Sequence, residues 1–293
     1  QERAITVNDY EILLKQQYPE INAITVYGGE EAEPPQYGRV FIVVDLFGFD
    51  GIPDYKKNEY KNWLRDKIPV TIDPVFIDPT FTFAKMNVTV RYDLNKTDLS
   101  YADISTRVLN KIVQYSDENL NRFRSTLRFS KLLAAIDETH PSILSSYSTF
   151  MPYKNVKVST SITQNYTLQF NMELRDSNAP LPRVHDLFKE TVLSSSVFTF
   201  GGKQCRLEDD NAGVVRIVYT SPDNKVSTVQ NIGTIDYATG KVILNNFIVN
   251  GYTGTGIKIY VTPKYNDVSF GKSDYFEIKA EDVGIEVIGI RGK

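Results

Sequence analysis

The side chains able to run chemistry in this chain are few and far apart. There are two histidines, His140 and His185, and one cysteine, Cys205. His140 stands directly before Pro141, where a helical pattern stops. His185 lies in Val184-His-Asp186, shortly before Ser194, Ser195 and Ser196. A nucleophile, a base and an orienting acid can be drawn from His185, Asp186 and one of those serines. No Gly-x-Ser-x-Gly elbow accompanies them, and serine is common throughout. A histidine at a helix end has an ordinary use against the terminal carbonyls. Capping or surface roles are expected for both histidines, and no catalytic residue is assigned.

Metal and cofactor chemistry fare no better. One cysteine and two separated histidines cannot complete a tetrahedral zinc set. Glu208-Asp209-Asp210 has the acidity of a calcium loop but neither its alternating spacing nor its distal glutamate. A solvated turn between strands is expected there. Gly251-Tyr-Thr-Gly-Thr-Gly256 is rich in glycine, yet strand patterns flank it on both sides. A phosphate cradle opens onto a helix N-terminus instead, so a hairpin is expected. The Asn-x-Thr triplets at Asn87, Asn95 and Asn165 carry little weight without secretion. Adjacent carboxylates such as Glu281 and Asp282 are commonplace among 36 acidic residues. No metal, no cofactor and no reaction class are indicated.

The elements that would have to position any site are those of an ordinary globular protein. With 293 residues, 41% of them apolar and 24% charged, the chain can build two or three cores. A net charge of −3, with both signs mixed, provides no basic field for nucleic acid. No apolar run approaches the 18 or so residues of a membrane span, and the start does not read as a signal peptide. The lone Cys205 excludes an intramolecular disulfide and suggests a reducing compartment. Beginning at Gln1, the chain reads as a mature or trimmed piece of a longer protein.

The pattern is that of an α+β protein, two small helix-on-sheet domains followed by a β-rich C-terminal domain. Residues 1–80 form the first. Thr6 and Asp9 make a capping box, Tyr10, Leu13, Leu14 and Tyr18 share a helical face, and Pro19 ends the helix. Val40 to Val44 reads as a strand buried on both faces. A second helix after Pro53 places Tyr60, Trp63, Leu64 and Ile68 inward and ends at Pro69. Val70, Ile72, Val75 and Ile77, interrupted by Pro74, read as an edge strand. Residues 81–178 form the second domain. Met86, Val88, Val90 and Tyr92 alternate as a strand, and Ile104, Val108, Leu109 and Ile112 mark a helix. Ser130 is placed as the cap of another helix, and Tyr166 to Leu174 as one long alternating strand. Asn178 to Pro182 reads as a linker. Residues 179–293 are a series of short strands broken by Gly201-Gly202, Ser221 to Asn224, Asp236 to Gly240 and Gly251 to Gly256.

Several of these residues form a recognisable pattern. Arg3-Ala-Ile-Thr6, Asp9-Tyr10, and then Tyr18-Pro19-Glu-Ile21 with Ala23 and Val26 resemble the opening of the baseplate J-like family. That opening reads Arg-Ala-Val-Thr-x-x-Asp-Tyr, then a helix, then Pro-Gly-Val; here Ile5 stands for Val and Glu20 for Gly. Gly38 to Val44 matches the family's core strand, and Ile68 to Pro74 resembles the strand after it. Ser125 to Ser130, with Leu132 and Leu133, is similar to the helix-opening stretch of the family's second unit. With Ile232 to Val242 included, the whole chain resembles the C-terminal part of the wedge proteins of T4-like contractile-tail phages.

The resemblance implies a late-expressed structural component of a virion tail baseplate, assembled in the host cytoplasm. Its partners would be a second copy of itself, as a homodimer, and other baseplate wedge and hub proteins, with no nucleic acid and no membrane. Homotypic contacts would join neighbouring wedges into a ring around the hub and rearrange on sheath contraction. No catalytic residue comes with the resemblance: Thr6 caps, Asp9 starts a helix, Tyr10 packs, and Arg3 pairs with Asp9 or, as the alternative, with a partner chain. The 18 tyrosines suit either interfaces or strands. An alternative reading, a glycan- or receptor-binding tail module, would need exposed aromatic platforms near Tyr237, Tyr252 or Tyr265.

Overall fold

The structure is a computed structural model that describes residues 3–32, 34–49, 51–175 and 191–291. His185 and the Asn178–Pro182 linker lie outside the described residues. The first elements in chain order are α1 (Val7–Gln17), β1 (Ile21–Gly28), β2 (Arg39–Leu46), α2 (Asp54–Leu64), β3 (Asp73–Ile77) and β4 (Thr80–Asp93). Next come α3 (Tyr101–Asn119), β5 (Arg122–Phe123), β6 (Thr126–Leu127), α4 (Phe129–Asp137), β7 (Ile143–Val156) and β8 (Gln164–Gln169). After the undescribed stretch follow β9 (Leu193–Ser195), β10 (Phe198–Phe200), β11 (Lys203–Asp209), β12 (Val214–Thr220), β13 (Val226–Asp236) and β14 (Lys241–Phe247). The chain ends with β15 (Gly251–Tyr252), β16 (Ile257–Val261), β17 (Val268–Ser269), β18 (Asp274–Glu277) and β19 (Val283–Ile290). The mixed α+β class with a strand-rich C-terminal region is as the patterns predict.

Two compact units result. The first comprises residues 1–80, 121–125 and 270–276. Its sheet has the order β1-β2-β3, with β1 antiparallel and β3 parallel to β2. The Thr6–Asp9 capping box forms and starts α1. Tyr10, Leu14, Tyr60 and Leu64 from the two helices close over Val26, Ile42, Val44 and Phe76. Each such apolar side chain contributes about 1.5–3 kcal/mol on burial. Val40 to Val44 is buried on both faces, as its unbroken apolar run requires. The outward N–H of Val26 is taken by the Glu11 carboxylate on α1 at 2.9 Å, so α1 also covers an edge of β1.

Two expectations fail in this unit. α2 stops at Leu64, short of Ile68, because the chain turns there: Lys67 N–H bonds Leu64 O at 2.8 Å, and Lys67 O receives Ala4 N–H at 2.8 Å. Val70 is fully exposed in a turn, and the edge strand begins only at Asp73.

The second unit comprises residues 81–120, 126–269 and 277–293. Its strands run in the order β4-β7-β16-β9-β11-β12-β13-β14-β8, and β19 lies parallel to β4. Ser100 and Asp103 form a capping box on α3, which buries Ile104, Val108 and Ile112. The core continues through Phe170, Phe198, Leu207, Ile217, Val242, Phe247 and Ile259.

Here three sequence expectations are corrected. Ser130 is not the cap of α4 but its second residue; Arg128 holds the cap position without a side-chain bond. The orphan N–H of Phe129 is instead accepted by Asp267 at 2.8 Å, a carboxylate 138 residues away. The alternation from Tyr166 to Leu174 is a strand only to Gln169, because Asn171 sits at φ +55 and turns the chain. Phe170 and Leu174 remain buried all the same, and the partner of β8 is β14. Gly251 to Gly256 is not a hairpin, since β15 pairs with β10 while β16 pairs with β7 and β9. Gly256 is required by close approach: a Cβ there would lie 2.8 Å from the backbone oxygen of Val156.

Candidate interaction surfaces

Among the described residues, His140, Asp209 and Asp210 hold backbone amides. His140 Nδ1 lies 2.8 Å from Ser142 Oγ and accepts Ser142 N–H at 3.2 Å, which closes the turn after α4. Cys205 is buried, and burial pushes its thiol up. The acidic run Glu208-Asp209-Asp210 is not the solvated turn expected, because β11 carries it into the interior. Asp209 is fully buried. Its Oδ1 accepts Leu193 N–H at 2.8 Å; its Oδ2 accepts Asn211 N–H at 3.2 Å and Tyr237 O–H at 2.7 Å. Asp210 accepts Ala212 and Val214 N–H at 2.8 and 2.9 Å and shapes the turn to β12. Glu208 pairs with Arg206 at 2.6 Å. Among the described residues, no three His, Cys, Asp or Glu stand together as a metal set.

A second buried polar cluster links β7, β16 and the turn before β19. Tyr153 O–H donates to Asp282 Oδ2 at 2.5 Å, and Lys258 Nζ reaches Asp282 Oδ1 at 2.7 Å. The same ammonium lies 4.8 Å above the Tyr153 ring, which contacts Tyr260 at 5.2 Å between centroids. Burial and Asp282 raise the Tyr153 hydroxyl well above its ordinary range and lift Tyr260 to about 12. Through these hydrogen bonds both clusters fasten strands.

Motif residues behave likewise. Asp9 Oδ2 accepts the N–H groups of Ile5 and Thr6 at 3.0 and 2.8 Å, which holds its carboxyl below the usual range. Of the two pairings expected for Arg3, the one with Asp9 is not formed among the described residues. Asp236 bonds Ala238 N–H and Thr239 O–H, and Gly240 takes φ +67 where a Cβ would meet Met172 O at 2.5 Å. Tyr237 and Tyr252 pack against the core rather than forming platforms; Tyr265 alone of the three is well exposed.

What the described surface does offer is apolar side chains on turns and edges. Gly48 (φ +79) turns the chain after β2 and leaves Phe47 63% and Phe49 43% exposed, with Tyr55 exposed at the start of α2. In the second unit, Val226 and Val229 are exposed on β13 ahead of its pairing with β14. Leu94 lies beside Gly289, with exposed Ile288 and Ile290 on the flanking positions of β19. Sequence reasoning misses these residues because apolar side chains carry no mark distinguishing core from surface. The Phe-Gly-Phe triplet is the one usable signal.

Comparison with known proteins gives these similarities. Residues 6–77 match the family "Baseplate structural protein gp6, C-terminal domain I", and residues 80–155 match "Baseplate structural protein gp6, C-terminal domain III". The baseplate wedge protein gp6 of Enterobacteria phage T4 is 24% identical over 297 aligned residues, covering 98% of this chain and 40% of that protein. The chain thus spans about two fifths of its curated relative. The baseplate of the anti-feeding prophage, solved by cryo-EM, is similar over 52% of this chain and 33% of that one, with 19% identity and a TM-score of 0.33. Over residues 6–77 and 80–155, this chain thus matches C-terminal domains I and III of the gp6 baseplate structural proteins.

Proposed function

We propose that this chain is the ring-joining part of a contractile-tail baseplate wedge, acting through contacts and not through catalysis. The carrying observation is the alignment of nearly its whole length with a T4 wedge protein. A homotypic, homodimeric contact joins neighbouring wedges around the hub, and the ring rearranges on sheath contraction. Other wedge and hub proteins are its further partners, within a virion assembled in the host cytoplasm, and neither nucleic acid nor membrane is one. Three domains, 1–80, 81–178 and 179–293, divide this work, with one contact from the helix-bearing part and another from the β-rich end.

The exposed apolar positions support this reading. Covering Phe47 and Phe49 in an interface contributes about 1.5–3 kcal/mol each, and aromatic anchors of this kind dominate association energies. Sedimentation velocity over a rising concentration series tests the proposal. Self-association that weakens in the Phe47→Ser/Phe49→Ser or Val226→Lys/Val229→Lys variant, with unchanged circular dichroism, is the expected result. A chain monomeric at hundreds of micromolar that also fails to bind other wedge proteins sinks it.

A further inference from the structure

The N-terminal unit is assembled from three separated stretches, so the backbone passes between the two units at 80/81, 120/121, 125/126, 269/270 and 276/277. The two remote stretches, 121–125 and 270–276, are short. Between them they share the register pairs Tyr275↔Phe123 and Phe276↔Arg122 and the isolated bridge Asn121↔Phe276, far less than an independent ribbon needs. A socket on the N-terminal fold holds both. Tyr27 is its floor, buried and stacked on Phe41 at 5.3 Å. The Arg124 guanidinium and the Lys272 ammonium both lie over that ring, at 5.8 and 5.2 Å.

Glu31 bridges the two cations, 3.0 Å from Lys272 Nζ and 3.6 Å from Arg124 Nη2. Lys272 also donates to Glu31 O at 2.7 Å. Arg124 stands at φ +55, a backbone state a side-chain-bearing residue keeps only where its surroundings impose it. The stretches are tied to each other by Phe270 N–H to Ser125 O at 2.9 Å. Thr80 joins them, donating its N–H to Ser273 O at 2.8 Å and its hydroxyl to Asp274.

We infer that this socket is a latch: residues 121–125 and 270–276 are structural parts of the N-terminal unit, and that unit opens when Glu31 releases Arg124 and Lys272. This goes beyond the ring-joining reading and stands without it. A single pair with partners more than a third exposed is weak. Here two cations converge on one carboxylate and one ring, so loss of the Glu31 charge leaves them facing each other unneutralised. The partial exposure also makes the latch sensitive to salt.

Hydrogen–deuterium exchange of the full chain in low denaturant reads this out. In the unaltered protein the amides of 121–125 and 270–276 are expected to exchange in step with β1 and β2. Glu31→Gln is expected to speed exchange in both stretches about fivefold while β7 and β16 stay unchanged. High salt should shift the unaltered protein in the same direction. Unchanged exchange in Glu31→Gln, or stretches that exchange in step with β7 and β16, overturns the inference. Should Glu31→Gln misfold throughout, Arg124→Gln and Lys272→Gln each remove one cation. Faster exchange confined to the two stretches then upholds the latch, and no change in either variant overturns it.

Discussion

Replacing Asp209 by alanine removes an acceptor shared by three donors inside the second unit. The Leu193 and Asn211 amides and the Tyr237 hydroxyl all point at its two oxygens, and full burial keeps water from taking its place. Each buried donor left unpaired costs about 1–3 kcal/mol, with bonds to a charged acceptor at the upper end. Arg175, also buried, loses the Asp209 charge that opposes the downward pull of burial on its guanidinium. The sum, allowing for relaxation around the smaller side chain, is about 3–5 kcal/mol. Tyr237→Phe leaves the carboxylate two amides and costs only the hydroxyl bond and the Gly213 N–H acceptor, about 1–2 kcal/mol. Urea unfolding followed by near-ultraviolet circular dichroism measures both. With a slope near 2–3 kcal/mol per molar, Asp209→Ala should lower the midpoint by roughly 1–2 M. The double variant should cost less than the sum of the two, because each change removes part of the same network. Trp63, the single tryptophan, belongs to the other unit and gives an internal control by fluorescence. The reasoning fails if Asp209→Ala costs under about 1 kcal/mol, or if Tyr237→Phe proves the more damaging change.

Asp267→Ala should destabilise by about 1 kcal/mol, as loss of a helix cap does, whereas Ser130→Ala should be nearly neutral. Equal effects in chemical denaturation would contradict the cap assignment. Stability should also decline above pH 10. Tyr153, Tyr237 and Tyr260 all hold their protons more tightly in the fold than the ordinary 10.0, chiefly through burial. Their contribution is therefore complete below pH 10 and is lost as pH rises through the raised values. Urea midpoints between pH 8 and 11 test this, and Tyr237→Phe should flatten the decline.

Local chemistry makes the capped helices legible from residue order alone. The Thr6–Asp9 box, the apolar faces of α1 and α3, and the turn at Gly201-Gly202 each depend on residues within a few positions of one another. The run at 208–210 misleads because acidity predicts solvent, while the alternation of β11 carries Asp209 inward. The Tyr166–Leu174 alternation overreaches because a single residue at positive φ, Asn171, leaves periodicity intact while ending the ladder.

By itself, then, the sequence determined the element types, the Thr6 cap of α1, and the family pattern beginning at Arg3. Only the tertiary structure decided which distant groups meet: Asp267 at the amide of Phe129, Tyr237 at Asp209, Lys258 and Tyr153 at Asp282. Those contacts span from 24 to 138 residues along the chain. No local pattern encodes them, because a carboxylate's partner is set by where the backbone brings it and not by its neighbours in sequence.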